Sequence, residues 1–182
     1  MIGYSFKRYI MGVGINTSFL ALIPKESNPS SFARFRPISL CNVSYKVISK
    51  LTPCRLKNFL PHLVSINQGG FVLGRQIFDN IILPQEAIDS SWKRWDQGMV
   101  INLDMENAFD RARHSFMLKV LKKLAFDANF IERISLCISS PWIAPLVNGC
   151  VVGFFKAFRG LKKGFPLSPF LYIIMVDSLS RR

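Results

Sequence analysis

The 182-residue sequence is short of acid: 11 Asp and Glu stand against 24 Lys and Arg, a formal net charge of +13. Long hydrophobic runs are also missing. The longest, Phe170 to Val176, falls far below the ~18 consecutive apolar residues of a membrane span, so a transmembrane protein is not expected. Histidine is scarce, and neither His62 nor His114 stands at metal-finger spacing from Cys41, Cys54, Cys137 or Cys150. The cysteines form no Cys-x-x-Cys pair, which leaves free thiols in a reducing, intracellular compartment, nucleus or cytoplasm, as the expectation. A secretory leader is not expected either. Lys7 and Arg8 precede a moderately apolar stretch, but Asn16, Thr17 and Ser18 interrupt it and no small-residue cleavage site follows. Internal repeats, low-complexity tracts and Gly/Ser-rich linkers are absent, so the chain reads as one domain or part of one. What it has in quantity is apolar and aromatic side chains, 49% and 13% of residues. A chain of this length buries roughly 70% of its unfolded surface, and this composition can fill such a core.

The charge is polarised along the chain. Residues 1–78 carry a net +9, residues 79–110 a net −5 and residues 111–182 a net +9. An acidic island between basic flanks suits a protein that grips a polyanion and holds Mg²⁺ on carboxylates, because phosphates attract cations and Mg²⁺ takes hard oxygen ligands. The alternative is a solvated helix face carrying Asp79, Glu86, Asp89 and Asp96.

Hydrophobic periodicity predicts a helix-rich segment, then a strand, two helices, a hairpin, a loop and a last helix: an α+β domain with an antiparallel sheet. Phe19 to Ile23 reads as a strand ended by Pro24. Asn42 caps a helix through Leu51 that Pro53 should kink or end, and Pro84 should do the same to a helix from Asn80 to Trp95. Met99, Ile101 and Leu103 alternate with Asn102 and Asp104, so the spacing predicts a strand that delivers Asp104 at its C-terminal end. One helical stripe then runs from Phe109 through Phe116, Met117, Val120, Leu121 and Leu124, and Asp127 caps the next helix. Asn148-Gly149 between two apolar pairs is a hairpin signal, and Ser168-Pro169 should open the last helix as N-cap and N1.

Two stretches carry chemistry. In INLDMENAFD (101–110), a strand delivering Asp104 next to a helix start can present a carboxylate and a carbonyl to a metal, with the Phe109 ring one turn away. Alone this is a weak signal, since Phe109 also begins a core stripe. In RGLKKGFPLSP (159–169), Arg159, Lys162 and Lys163 alternate with glycines that let a backbone approach phosphates. A solvated basic loop is the alternative, and Walker spacing is absent.

Taken together, FRPISLCNVSYKVISK (35–50), NQGGFVLGRQIFDNI (67–81), INLDMENAFDRARHSFM (101–117), LVNG (146–149) and RGLKKGFPLSP resemble, in order and spacing, the reverse transcriptases of non-long-terminal-repeat (LINE-type) retrotransposons, particularly the plant group. The resemblance implies the fingers and part of the palm of a right-hand polymerase, with residues 1–97 fingers-like and residues 98–182 a partial palm whose antiparallel sheet stops before its catalytic hairpin. It implies that Asp104 is a catalytic, metal-binding aspartate and that Phe109 is the aromatic gate beneath the sugar. Arg36 and Arg75 would lie in blocks that hold template and incoming nucleotide, and Lys163-Gly164 where the family's Gln-Gly touches the nucleotide. Implied partners are an RNA template, a DNA primer and deoxynucleoside triphosphates. The implied chemistry is in-line attack of a 3′-OH assisted by two Mg²⁺ ions.

Departures temper that inheritance. The family has Lys where this chain has Asn102 and Asn107, Gln at Lys163 and Asp at Phe165. The family's later block with two consecutive aspartates is missing, and after Glu132 the only acid is Asp177. The expectation is a truncated polymerase chain that is inactive alone. The alternatives are a non-catalytic basic nucleic-acid-binding module and a relic without function.

Overall fold

The computed structural model describes residues 17–94, 97–138 and 142–181. Asp96 and Trp95, invoked above, lie outside the described residues. Strand β1 (Ser18–Pro24) runs antiparallel to β2 (Phe35–Cys41), in register from Ser18 opposite Cys41 to Pro24 opposite Phe35. A 3-10 turn at Phe32–Arg34 closes the connection, with the Lys25 amide donating to the Arg34 carbonyl at 2.9 Å. After β2 the chain is helical: α1 (Val43–Leu56), α2 (Leu60–Leu63), α3 (Asp79–Arg94), α4 (Ala108–Arg111), α5 (His114–Lys123) and α6 (Ala128–Ile138). Strands β3 (Trp142–Val147), β4 (Cys150–Val151) and β5 (Phe155–Lys156) follow, and α7 (Ser168–Ser180) closes the order.

The sheet corrects the antiparallel expectation. Its order is β2-β1-β3-β4, with β5 also on β3, and β1 pairs with β3 in parallel, Ser18 opposite Ile143. The sheet is therefore mixed, and it draws strands from both sides of residue 97. A parallel pair needs a long crossover, and the whole helical segment between β2 and β3 supplies it.

Asn148-Gly149 does form the tight turn: both residues take positive φ, 51° and 79°, as a two-residue hairpin requires, and Val147 pairs with Cys150. Asn42 accepts the Ser44 amide at 2.9 Å, and Asp127 accepts the amides of Asn129 and Phe130, as capping predicts.

Other expectations fail for identifiable reasons. Residues 97–105 form no strand: no neighbouring strand accepts their backbone groups among the described residues, and Met99 and Leu103 are 83% and 85% exposed. The stripe beginning at Phe109 is not one helix. It breaks between α4 and α5, where the Ala112 carbonyl accepts the Gly160 amide at 2.7 Å and Arg113 bridges Arg159. Pro84 does not end α3, which continues ten residues beyond it to Arg94, and Pro53 lies inside α1, which stops at Leu56. No side chain of α3 is buried, so water can solvate the carbonyl that Pro84 leaves without an amide. Ser168 is the first residue of α7 rather than its cap; its hydroxyl donates to the Lys162 carbonyl at 2.8 Å.

Helix α7 is the post of the core. Leu171, Ile173, Ile174 and Met175 are buried on it, and α5 packs against both it and α6. A helix apolar on every side belongs inside. Near its end sits Asp177, 6% exposed, whose carboxylate accepts the Ser65 amide at 2.6 Å and the Arg181 Nε at 2.7 Å. Arg181 also donates to the Leu63 carbonyl at 3.0 Å, so the end of α7 clamps the turn after α2. Removing one member of a buried, charge-assisted set leaves its partners without acceptors. Asp177→Ala is expected to lower unfolding free energy by about 3 kcal/mol, read as a fall in urea midpoint at unchanged slope.

Candidate nucleic-acid and nucleotide site

Asp104 is the penultimate residue of the exposed 97–105 segment and lies beside Tyr172 of α7. Burial, then the Asp104 carboxylate, push the Tyr172 hydroxyl above its ordinary pKa, because both disfavour phenolate. The Tyr172 ring stacks on Phe109 with centroids 4.8 Å apart and planes 19° from parallel. Phe109 is thereby a braced ring on α4, five residues from Asp104. Asp104, Glu106, Arg111, Arg113, Tyr172 and Phe116 line a cavity of about 530 Å³ on this side.

On the other side of α4 lies a cavity of about 450 Å³, lined by Asp110, Lys162 and Lys163 among others. Lys163 donates to the Asp110 carboxylate at 2.8 Å, a half-exposed pair across the cavity wall. Gly160 and Gly164 take positive φ, 93° and 84°, and a side chain at Gly160 would meet the Asp110 carbonyl at 3.3 Å. Glycine at 160 is what lets this loop lie against α4.

The remaining candidates are placed elsewhere. Arg36 is exposed on β2 opposite Ile23, while its neighbours Pro37 and Ser39 line the Lys163 cavity. Arg75 donates to the carbonyls of Ser65, Gln68 and Pro61, and so braces the turn that Asp177 also holds; it lines a third cavity, with Phe170. The structure thus brings Asp104 to Phe109 and Lys163 to Asp110, and sets Arg75 apart from both. Asp79, Glu86 and Asp89 are a solvated face of α3.

Sequence reading missed Tyr172 and misjudged Lys162. Tyr172 is 68 residues from Asp104, and no local pattern links them. Lys162 turns inward instead of facing solvent: its ammonium donates to Ser18 Oγ at 2.7 Å and sits 4.5 Å from the Tyr45 ring centroid. Tyr45 is fully buried, stacks on Phe165 at 4.8 Å, and donates its hydroxyl to the Cys137 carbonyl. Burial pushes Lys162 down to about 8, against the opposing pull of Cys41 and Cys137, and burial pushes Cys137 up to about 11.

Against protein-family models, residues 23–182 match "Reverse transcriptase (RNA-dependent DNA polymerase)". The chain belongs to the reverse transcriptase family. It is 27% identical over 173 residues to a transposon TX1 149 kDa protein of Xenopus laevis, covering 95% of this chain and 13% of that protein. It is 27% identical over 163 residues to the Pol polyprotein of retrotransposable element R2DM of Drosophila melanogaster, covering 87% of this chain and 15% of the relative. An R2 Pol polyprotein of Popillia japonica is 26% identical over 159 residues, 87% of this chain and 22% of the relative. The chain therefore spans less than a quarter of the length of these relatives, and its resemblance to non-long-terminal-repeat retrotransposon enzymes holds at family level.

Such a family implies nucleic-acid template and primer and a divalent metal, typically Mg²⁺. Asp104 can offer one carboxylate to an ion, but among the described residues no group of three His, Cys, Asp or Glu side chains could hold one. Asp110 is engaged with Lys163, and Asp177 with Ser65 and Arg181. These ligands do not fit a two-metal centre. Among the described residues no helix is long and apolar enough to cross a membrane.

The buried amine makes stability depend on pH. Folded Lys162 binds fewer protons than unfolded between pH 8 and its ordinary 10.5, so stability rises with pH there; Cys137 and Tyr45, both raised, act oppositely above pH 9. Between pH 7.5 and 9 the wild type is expected to gain about 1 kcal/mol in urea unfolding. Lys162→Met should flatten that rise.

Proposed function

We propose that this chain is the fingers-like segment (1–97) and partial palm (98–182) of a retrotransposon RNA-directed DNA polymerase, and that alone it engages nucleic acid and nucleotide without polymerising. The observation that carries this is the Asp104–Phe109–Tyr172 cluster beside a cation-lined cavity. Phe109, braced by Tyr172, would pack under the sugar of a bound deoxynucleoside triphosphate, where a rigid ring rejects a 2′-OH by shape. Lys163 and Gly164 would meet the nucleotide, and Arg36 and the block containing Arg75 would support template and triphosphate. Within the family, placement in the plant group rests on the wording of the five sequence blocks.

The incapacity follows from ligand number. In-line phosphoryl transfer with two metals needs carboxylates that fix both ions, and Asp104 alone cannot. Purified chain with Mg²⁺, an RNA template and a DNA primer is expected to give no extension above an Asp104→Ala control; product above that control would refute the inactivity.

A binding module is the second reading, favoured by the net charge of +13 and by exposed cations such as Arg36, Lys156 and Arg159. If about four phosphates are neutralised, affinity for an RNA–DNA duplex should fall on the order of a hundredfold between 50 and 200 mM salt. Salt-insensitive binding in a filter or anisotropy titration would count against any phosphate-gripping role.

A further inference from the structure

Two arginines face each other where the loop after β5 crosses the break between α4 and α5. Arg113 and Arg159 are partners in an isolated antiparallel bridge. The hydrogen bond beside them runs from the Gly160 amide to the Ala112 carbonyl at 2.7 Å, which makes the arginines the narrow kind of pair that shares no backbone bond. In such a pair the Cα atoms are about 4.5 Å apart and both side chains leave the same face. The backbone beneath them is fixed: the Arg113 carbonyl accepts the Met117 amide at 3.1 Å, and the Gly160 carbonyl bonds His114 Nε2 at 2.7 Å.

This is an unfavourable place for two cations. Like charges directly opposite each other repel, and a guanidinium cannot relieve the repulsion by losing its proton. Arg113 is also the N-cap of α5, whose first turn holds no acid, so the helix dipole opposes its charge as well. Among the described residues neither arginine has an ion-pair partner: Glu106 is taken by Arg111, and Asp110 by Lys163. Asp104 lines the same cavity as Arg113 without pairing with it. An oxyanion between the two guanidiniums would remove both penalties, and both side chains are exposed to receive one from solvent.

Arg113 lines the 530 Å³ cavity with Asp104, and Arg159 lines the 450 Å³ cavity with Lys163. The pair therefore stands between the two. We propose that Arg113 and Arg159 together seat one phosphate diester of a nucleic-acid strand that passes from one cavity to the other. The proposal rests on the nucleic-acid-binding reading above and names the residues of one contact within it. Guanidinium forks match the geometry of phosphate oxygens, and a group lying between two cavities is met by an extended chain that enters both.

The test measures fluorescence anisotropy of a labelled RNA–DNA duplex between 50 and 200 mM salt, with the full chain and with Arg113→Gln/Arg159→Gln. The log–log slope of affinity against salt is expected to be shallower in the double variant by about 0.9, the value for one phosphate. Lys93→Gln/Arg94→Gln, which removes the same charge from the exposed end of α3, should leave the slope unchanged. Arg113→Lys/Arg159→Lys should keep the wild-type slope and bind several-fold more weakly, because the charge stays and the fork is lost. Without nucleic acid, the double Gln variant should unfold at a urea midpoint no lower than wild type; a lower midpoint would mark the pair as structural and overturn the site. A labelled deoxynucleoside triphosphate should bind both proteins alike; its loss from the variant at an unchanged duplex slope would assign the phosphate to a nucleotide and overturn the diester. A steep wild-type slope that the double variant keeps would overturn this site alone, whereas a wild type without salt dependence would overturn the binding reading beneath it.

Discussion

The loop from Arg159 to Leu167 is the constraint on which the rest of the structure depends. Its amides at Gly160 and Leu161 donate to the carbonyls of Ala112 and Phe109, and its Gly160 carbonyl bonds His114 Nε2 at 2.7 Å. The Lys163 carbonyl accepts the Ser39 amide of β2, Lys162 reaches Ser18 of β1, and Phe165 stacks on Tyr45 of α1. One irregular segment therefore joins the sheet, the first helix and the α4–α5 break. Only irregular backbone can do this, because its amides and carbonyls are not spent on a regular ladder.

That loop also sets the geometry of the site. Two adjacent lysines point to different environments: Lys162 inward to Ser18 and Tyr45, Lys163 to Asp110 at the cavity wall. Phe165 of this loop is 4% exposed and covers one face of Tyr45. An apolar ring at that position adds to the desolvation of Lys162's surroundings, where a carboxylate would have favoured the charged ammonium. The same loop splits the predicted Phe109 helix, and the split lets Phe109 meet Tyr172 as part of a short separate turn.

What was legible in the sequence was mostly local. The Asn148-Gly149 turn, the Asn42 and Asp127 caps and the β1 strand are written in a few neighbouring residues, each with its own physical signature. What was not legible needed a partner far along the chain. Alternation at Met99–Leu103 is a strand signal only if another strand lies beside it, and among the described residues none does. The parallel β1–β3 pairing joins residues about 125 apart, so no window of sequence could reveal it. Of the candidate site, Asp104 and Phe109 were found together because they are five residues apart, whereas Tyr172 was invisible for the opposite reason.

The acidic island, which suggested a single carboxylate centre, resolves into separate fates. Asp79, Glu86 and Asp89 face water on α3; Glu106 pairs with Arg111 on the surface at 2.9 Å, an exposed contact worth ~0–1 kcal/mol; Asp110 is held by Lys163. Asp104 is the acid that lies beside the Tyr172–Phe109 stack. Net charge along a chain reports where a polyanion is attracted, since that field is long-ranged. It does not report where a metal is held, since coordination needs side chains converging within a few ångströms. The two signals coincide in the sequence, and the fold separates them.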